Sequence, residues 1–339
     1  MSVNATRQRK ARARWFLGGL GLTAAGLTLL SLTQGAVTIS LSEALSVLAR
    51  RLGPGESLSG QADAVVWGIR TPRTMLGLVI GAALGAAGVT LQGILRNRLA
   101  DPHLLGIGPG AAIGAAIGAA AGGVQGAIAG GAAAGVLTAF IVRRLGRNMS
   151  LDPTRLVLAG VALGTTLSAW VGFVVFGLDR TVVPPIEFWL LGSLSGATWR
   201  SLGTVTFILV ITIGIMVVSR RQLDLLALGD REARQLGVDV DLVTTILYIV
   251  VGGAVGATVG AAGVVLFVGL LIPFLVRPLA GPGHGGLLAA AMTGGAAFLV
   301  GSDMLARLVL EPIELPVGVV TAVVGGPLFV WLVSRGRRA

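Results

Sequence analysis

Residues 72–93 read PRTMLGLVIGAALGAAGVTLQG, an apolar stretch whose one charge, Arg73, stands near its start. The hydrocarbon core of a bilayer is about 30 Å thick and a helix rises about 1.5 Å per residue, so about 20 apolar residues span it. Gly77, Gly81 and Gly85 recur every four residues, and small residues at this spacing let helices pack closely in lipid. The stretch predicts a spanning helix that packs within the chain or, as an alternative, against a second subunit.

The rest of the chain repeats this apolar pattern. Of its 339 residues 54% are hydrophobic and 12% are charged, whereas soluble domains carry about 25% charged residues. We predict an all-α polytopic membrane protein with about ten transmembrane helices, in which 1–14 form a basic cytoplasmic amino terminus and 15–335 a single transmembrane domain. The other nine predicted spans are 15–32, 104–122, 124–142, 154–178, 201–219, 242–262, 264–280, 287–309 and 316–334.

The basic residues predict the orientation of these spans. Ten spans place both termini on one side, and most of the 26 basic residues then fall on that side. Because cytoplasmic loops are rich in Arg and Lys, both termini are predicted to be cytoplasmic. The net charge of +11 is explained in the same way, and a nucleic-acid partner is not expected. The apolar part of 15–32 is too long for a signal peptide, so an uncleaved first span is expected.

The composition also argues against chemistry within this chain. There is no cysteine, and His103 and His284 are far apart without the spacing of a zinc site. The single lysine, Lys10, has no glycines before it, so a phosphate-cradling loop is absent. We therefore expect no catalytic residue, no cofactor and no metal site, and an energy source on other proteins.

Local signals mark several helix ends and bends. Ser40 and Glu43 are spaced as a capping box, which should start a short helix that Gly53 ends. Pro109 within Gly106–Gly110 should break or bend the third span, and Pro273 should kink the eighth, because proline removes a backbone donor.

Four stretches carry a resemblance to a known family. They are IRTPR at 69–73 with LQG at 91–93 and LRNRLADP at 95–102, TRLVLAGVALG at 154–164, ALGDREARQLG at 227–237, and ELPVG at 314–318. Together, over about residues 40–335, they resemble the FecCD-type permeases, which are the membrane subunits of ATP-driven ABC importers for ferric siderophores, haem and cobalamin. Arg98 and Phe274 depart from the family pattern, which has Pro and often His there.

The segment 222–241 is the longest loop on the predicted cytoplasmic side. Its mixture of leucines and charges suits a short amphipathic helix that stops at Gly237, and a solvated connector fits the residues equally well. The resemblance implies instead that this segment is the coupling helix that contacts a separate ATPase subunit. The residues predicted to make this contact are Leu228, Gly229, Asp230, Arg231, Glu232, Ala233, Arg234, Leu236 and Gly237.

Of the few arginines that fall on the predicted outer side, against the general charge trend, three lie at or near the ends of predicted spans and are considered as docking residues. Arg70, Arg73 and Arg307 could extend towards lipid headgroups, and Arg307 stands four residues after Asp303, the spacing of a local ion pair. Resemblance to the cobalamin importer implies that the three arginines receive acidic residues of a solute-binding protein. A carboxylate within a span suggests function by default, but we expect Asp303 and Arg307 to form a structural pair, since no second buried carboxylate or histidine is evident for a proton relay.

The substrate path is marked only by aromatic residues. Phe176, Phe188 and Trp189 flank the outer end of the fifth span, where interfacial aromatic residues are common. The resemblance implies a pathway or gate near them, between two permease subunits. We therefore predict that the chain is a permease. It would pair with itself or with a related subunit and translocate a ferric siderophore that a solute-binding protein delivers. The alternatives are cobalamin or haem as substrate, an ion-coupled secondary transporter, a membrane enzyme or electron-transfer anchor, and a scaffold.

Overall fold

The computed structural model describes residues 3–35, 37–53, 60–148, 153–176, 189–281 and 283–336, and these residues form helices with no strand among them. The predicted all-α class is confirmed. The helices are α1 (Val3–Thr33), α2 (Leu41–Leu52), α3 (Gln61–Asp63), which continues through a π-helical segment (Ala64–Arg70) into α4 (Thr71–Leu95), α5 (Ile107–Asn148), α6 (Pro153–Phe176), α7 (Trp199–Val218), α8 (Arg220–Leu226), α9 (Asp230–Gln235), α10 (Val240–Ala262), α11 (Val268–Val276), α12 (His284–Leu308) and α13 (Val317–Gly336).

Six helical stretches among the described residues are long and apolar enough to cross a membrane. They are Arg12–Thr33, Gln61–Leu95, Ile107–Arg147, Trp199–Val218, Val240–Ala262 and His284–Leu308. Helices α6 and α13 contain shorter apolar stretches, Leu158–Phe173 and Val317–Leu332. The number of ten crossings therefore stays a prediction.

Helix α5 contains two of the predicted spans, folded against each other. Gly122 and Gly123 depart from helical geometry, and Gly123 has a φ of 57°. A Cβ placed on Gly118 would lie 2.0 Å from the carbonyl oxygen of Gly126. Since real side chains cannot approach backbone so closely, these glycines are needed for the close contact of the two halves. The predicted spans 104–122 and 124–142 thus form a helical hairpin.

Glycine contacts also build the centre of the bundle. Gly252 and Gly256 of α10 face the backbone of Gly135 and Gly131 in α5. In the same way, Gly81 of α4 faces Gly295 of α12, with a hypothetical Cβ 2.3 Å from its carbonyl oxygen. The regular glycine spacing therefore serves packing within the chain, which was the first of the two interpretations.

Two sequence expectations fail, the bend at Pro109 and the single helix over 264–280, whereas the kink at Pro273 stays a prediction. Pro109 lies in the first turn of α5, where no backbone donor is required, so it begins the helix rather than bending it. The predicted span 264–280 is not one helix, because α11 has only nine residues, about 13 Å long. Phe267 precedes it with a φ of 67°, and non-helical residues join it to α10. Pro273 lies inside this short helix.

The connections gather at two ends of the bundle. At one end Arg70 contacts the carbonyl oxygen of Leu32, and Trp67 stacks with Trp199; we call this the predicted outer end. At the opposite end Arg96 reaches Asp230; we call this the predicted inner end. The predicted capping box at Ser40 is present at the start of α2, and Gly53 follows its last residue.

Candidate functional site

The predicted coupling segment forms two short helices at the predicted inner end. Helix α8 follows α7 almost directly, and α9 covers six residues of the predicted motif. Gly229 and Gly237 flank α9 with φ values of 129° and 83°, which glycine adopts without strain. The amides of Gly237 and Val238 donate to the carbonyl oxygens of Arg234 and Ala233. The expected short helix with Gly237 as its stop is therefore present.

A small apolar core holds this coupling segment to the bundle. Leu226, Ala233 and Val240 are buried together, at 3%, 0% and 4% exposure. Leu228 and Leu236, on either side of α9, point the other way and are 63% and 58% exposed. Contact of this surface with an ATPase subunit stays a prediction, with which two exposed leucines beside a fixed helix are compatible.

Three charged side chains of the coupling segment, Asp230, Arg234 and Asp241, are about half exposed and form ion pairs. Arg96 lies 3.0 Å from Asp230, and both side chains are about half exposed. Asp241 accepts from Arg143 at 2.8 Å and from Arg234 at 3.1 Å. Solvent screens such pairs, which typically contribute about 0.2–1 kcal/mol each. They align the segment with α4, α5 and α10 but do not lock it.

A histidine link that the sequence did not reveal joins α8 to α12. Asp224 accepts from the backbone amide of His284 at 2.8 Å and lies 2.7 Å from its Nδ1 atom. The His284 ring also touches the position where Gly93 of α4 would carry a side chain. The two residues are 60 positions apart, so no local pattern could have found them. A displacement of α8 would therefore displace the first residue of α12 through this contact.

At the predicted outer end, three buried arginines form a cluster with one buried carboxylate, Asp303, and one exposed carboxylate, Glu314. Arg73 donates from Nε to Asp303 at 3.0 Å, and its other nitrogens lie 2.9 Å from Asp303 and 2.8 Å from Glu314. Arg307 Nε lies 3.2 Å from Asp303, so the predicted pair is present. The main partner of Asp303 is nonetheless Arg73, 230 positions away.

The other two members of this arginine cluster tie backbone segments together. Arg70 donates to the carbonyl oxygens of Leu32 and Val37. Arg307 donates to Ser31 Oγ at 2.7 Å and to the Gln34 carbonyl oxygen at 3.1 Å. The three arginines are 5–7% exposed.

The guanidinium groups of these arginines therefore lie inside the protein and not at its surface. Glu314, whose side chain is 42% exposed, is the ion-paired member of the cluster that reaches solvent. Docking of a binding protein at Arg70, Arg73 and Arg307 stays a prediction, which now requires that the arginines act by fixing this end rather than by protruding from it.

The predicted gate residues are only partly described. Phe188 lies outside the described residues, and Phe176 is the last residue of α6, where its side chain is also outside them. Trp189 is half-buried beside a cavity of about 530 Å³, which Val124 and Ser195 also line. On α6, Trp170 and Phe173 are exposed and lie edge to face, 5.6 Å apart. The part of the expected pathway that can be seen is thus apolar and aromatic.

A buried acid and histidine at the predicted inner end were also missed. Asp101 is 4% exposed and accepts the backbone amide of His103 at 2.8 Å. The ring of His103 packs against Gly108. Burial lowers the pKa of His103, so its neutral form is favoured. Only the polar loop sequence LADPH hinted at this pair, and that hint did not indicate burial.

These features define the class of protein. A bundle of apolar helices crosses the membrane, a charged segment with exposed leucines stands at one end, and an interlocked polar cluster closes the other. Among the described residues, no group of three His, Cys, Asp or Glu side chains is placed to hold a metal ion. Long apolar helices packed as a bundle indicate a polytopic membrane protein.

Comparisons with known proteins give the family. The FecCD transport family profile matches residues 22–335, and the chain belongs to that family. It is 38% identical over 335 residues to the vitamin B12 import system permease protein BtuC of Klebsiella pneumoniae, covering 98% of this chain and 96% of the relative. It is 35% identical to BtuC of Salmonella typhi over the whole of both chains.

Solved structures give the same result. One, described as an inward-facing conformation of a metal-chelate type ABC transporter, matches with a TM-score of 0.82 and 30% identity over 94% of this chain and 98% of that one. PsaBC from Streptococcus pneumoniae, at a TM-score of 0.53 and 15% identity, shares the fold alone. The chain is therefore an ABC importer permease of the FecCD and BtuC type, a multi-pass protein of the bacterial inner membrane and a transport component rather than an enzyme.

Proposed function

We propose that this chain is the permease of an importer that carries a metal-containing organic chelate, with a corrinoid as the first candidate. The observation that carries the importer part is the coupling segment, whose two exposed leucines flank a helix fixed to the bundle. Two separate ATPase subunits would contact two copies of this segment, one on each permease subunit. Closure of the ATPase pair would move α8 and α9 and, through Asp224 and His284, the start of α12.

The orientation follows from the same assignment. The predicted inner end, with the coupling segment and both termini, would face the cytoplasm, and the arginine cluster would face outwards. The basic residues of the loops support this direction. A solute-binding protein would dock at the outer end, near Glu314 and the loop that precedes α13. Exposed charges there would affect mainly the rate and orientation of docking, and the effect would weaken with salt.

A second permease subunit would complete the pathway. Helix α6 carries the exposed aromatic residues Trp170 and Phe173, and α13 exposes Val323 and Trp331. Apolar faces of this kind suit a wide passage that binds a bulky solute weakly. Whether the partner is a second copy or a related chain is left to experiment, because either would cover the same face.

The substrate assignment rests on the relatives. Those at 35–38% identity are named as vitamin B12 permeases, which favours a corrinoid. The structural neighbour is described as a metal-chelate transporter, which is compatible with a ferric siderophore, our second candidate. Both are large chelates that an apolar, weakly binding passage would accommodate.

A competition experiment separates the two candidates. The assembled complex with its binding protein is reconstituted in vesicles, and ATP-dependent uptake of labelled cyanocobalamin and, separately, of a labelled ferric siderophore is measured with excess unlabelled corrinoid or excess unlabelled ferric siderophore. We expect uptake that only the corrinoid suppresses. Siderophore uptake that cobalamin does not suppress would select the second candidate, and uptake of neither would overturn the chelate assignment.

A further inference from the structure

Helix α2 has a face of leucines that no described part of the protein covers. Leu41, Leu45 and Leu52 are 48%, 46% and 79% exposed. At about 100° per residue, they lie within about 40° of one another around the helix axis. The helix has only twelve residues, so three exposed leucines on one side are a substantial apolar surface for an element that does not cross the membrane.

The other two faces of α2 fix the direction in which these leucines point. Ala44 and Val47, 1% and 2% exposed, lie about 100° away around the axis and pack against Val66 of the π-helical segment. The remaining side is polar and carries Ser42, Glu43, Ser46 and Arg50. Protein, water and the leucine stripe thus meet three different sides of one helix, which is the pattern of a helix lying in a membrane interface.

Electrostatic and capping contacts hold α2 in this rotation. The Ser40 capping box fixes its first turn. At its other end, Arg51 donates to Asp63 from Nε at 3.0 Å and also from a terminal nitrogen. These hydrogen bonds raise the pKa of Arg51 above its ordinary value. The leucine stripe therefore cannot turn towards the protein without breaking the contact of Arg51 with Asp63 and the packing of Ala44 and Val47 against Val66.

The length of helix α7 gives the depth of α2 relative to the hydrocarbon core of the membrane. It has 20 residues, about 30 Å, which matches the hydrocarbon core, and Arg220 and Arg221 follow its inner end. Trp199 at its outer end stacks with Trp67, with ring centroids 4.4 Å apart, and donates to the Trp67 carbonyl oxygen at 3.0 Å. Trp67 therefore lies at the outer boundary of the core.

The neighbours of Trp67 share this depth. The Arg51 guanidinium lies 5.9 Å from its ring centroid, and Val66, which α2 covers, is the adjacent residue. Tryptophan and arginine are typical of the zone between acyl chains and headgroups. At this level a leucine on the membrane side of the helix meets acyl chains, whereas one on the opposite side would meet water.

We propose that α2 is an interfacial helix whose leucine stripe, Leu41, Leu45 and Leu52, inserts into the outer surface of the lipid bilayer. The occupant of this face is lipid rather than the binding protein, because the depth of Trp67 and Trp199 places it at the membrane boundary and the polar face remains for water. The insertion fixes the height of the segment that leads into Arg70, and so of the buried arginine cluster.

The cysteine-free chain makes this proposal directly testable. Single variants Leu45→Cys and Leu52→Cys would carry a nitroxide label, with Ser46→Cys and Arg50→Cys as matched controls on the polar face of the same helix. The assembled complex would be reconstituted in vesicles of phosphatidylethanolamine and phosphatidylglycerol. Collisions of each label with oxygen, which concentrates in lipid, and with a water-soluble nickel chelate would be measured by electron paramagnetic resonance.

We expect the ratio of oxygen to nickel collisions to be several-fold higher at positions 45 and 52 than at 46 and 50, with no change when the binding protein is added. Equal ratios at all four positions would overturn the proposal. So would leucine-face labels that are shielded from both reagents, or that become shielded only with the binding protein, since a protein would then cover this face. Leu45, Arg50 and Leu52 are exposed and Ser46 is half-buried, so folding should be kept, and ATP-dependent uptake by each labelled complex checks this.

Discussion

The two ends of the bundle use charge in opposite ways. At the predicted outer end, Arg73 and Asp303 are almost completely buried. They lie 2.9 Å apart although they are 230 positions apart in the sequence. At the predicted inner end, Arg96 and Asp230 are about half exposed, and two leucines beside them face solvent. A buried network defines one arrangement, whereas an exposed segment is available to a partner. We interpret the outer cluster as the more rigid of the two and the inner segment as the surface that a partner would contact.

The largest effect is expected at the exposed leucines of the coupling segment. Leu228→Asp with Leu236→Asp should abolish stimulated ATP hydrolysis and uptake, because two charges would face the apolar surface of the ATPase subunit. The protein should still insert and fold, since both side chains are exposed. The rate of ATP hydrolysis by the ATPase subunits is measured in reconstituted complexes with the variant and with the unchanged permease.

Leu310→Asp provides a control at the opposite end, where Leu310 is 52% exposed. Because Leu310 lies in the loop proposed to contact the binding protein, the control is scored on ATP hydrolysis by the assembled complex without binding protein, and this hydrolysis should be kept. If the double variant also kept it, the inner surface would not be the coupling surface, and the contrast between the two ends would lose its functional meaning.

The next effect concerns stability at the buried cluster. Asp303→Ala would leave three buried arginines with Glu314 as their main counter-charge. Breaking a buried pair in this way typically costs about 3–5 kcal/mol. The free energy of unfolding in detergent measures the loss. A change below about 1 kcal/mol would mean that the outer end is not the interlocked structure described above.

A smaller and more specific effect is expected at the histidine link. His284→Gln should reduce ATP-driven uptake several-fold while ATPase binding to the complex is unchanged, because the ring joins α8 to α12 without facing the partner. Asp224→Ala should give the same phenotype, because it removes the acceptor of both contacts, and combining the two variants should add little. Full uptake in both single variants would show that the contact between Asp224 and His284 does not transmit movement from α8 to α12.

The smallest effect should come from the exposed pair at the inner end. Arg96→Gln should change the free energy of unfolding by at most about 1 kcal/mol, because solvent screens the partners. Raising the salt concentration should narrow the difference from the unchanged chain further. A loss as large as that of Asp303→Ala would contradict the distinction between the two ends.

Local patterns in the sequence were good guides to helices and their ends. The glycine spacing in 72–93 predicted close packing, and Ser40 with Glu43 predicted the start of α2, since both signals act over a few residues. The motif at 227–237 predicted the short helix that ends at Gly237. In each case the cause lies within one or two turns of the chain.

Long-range contacts could not be predicted in this way. The spacing of Asp303 and Arg307 suggested a local pair, but nothing near them in sequence indicated Arg73. The link between Asp224 and His284 is hidden for the same reason. Composition also did not distinguish the nine-residue α11 from a full span. The residues 264–280 are equally apolar whether they form one helix or are interrupted at Phe267, where φ is positive. Tertiary structure decides these points.

The central claim is that this chain is a gated passage and that its energy comes from other subunits. The most direct measurement compares accumulation of labelled cyanocobalamin and of a ferric siderophore in vesicles that contain the permease alone with that in vesicles that also contain ATPase subunits, binding protein and ATP. We predict accumulation against a gradient only in the complete system. Uphill accumulation by the permease alone, driven by an ion gradient, would contradict the account.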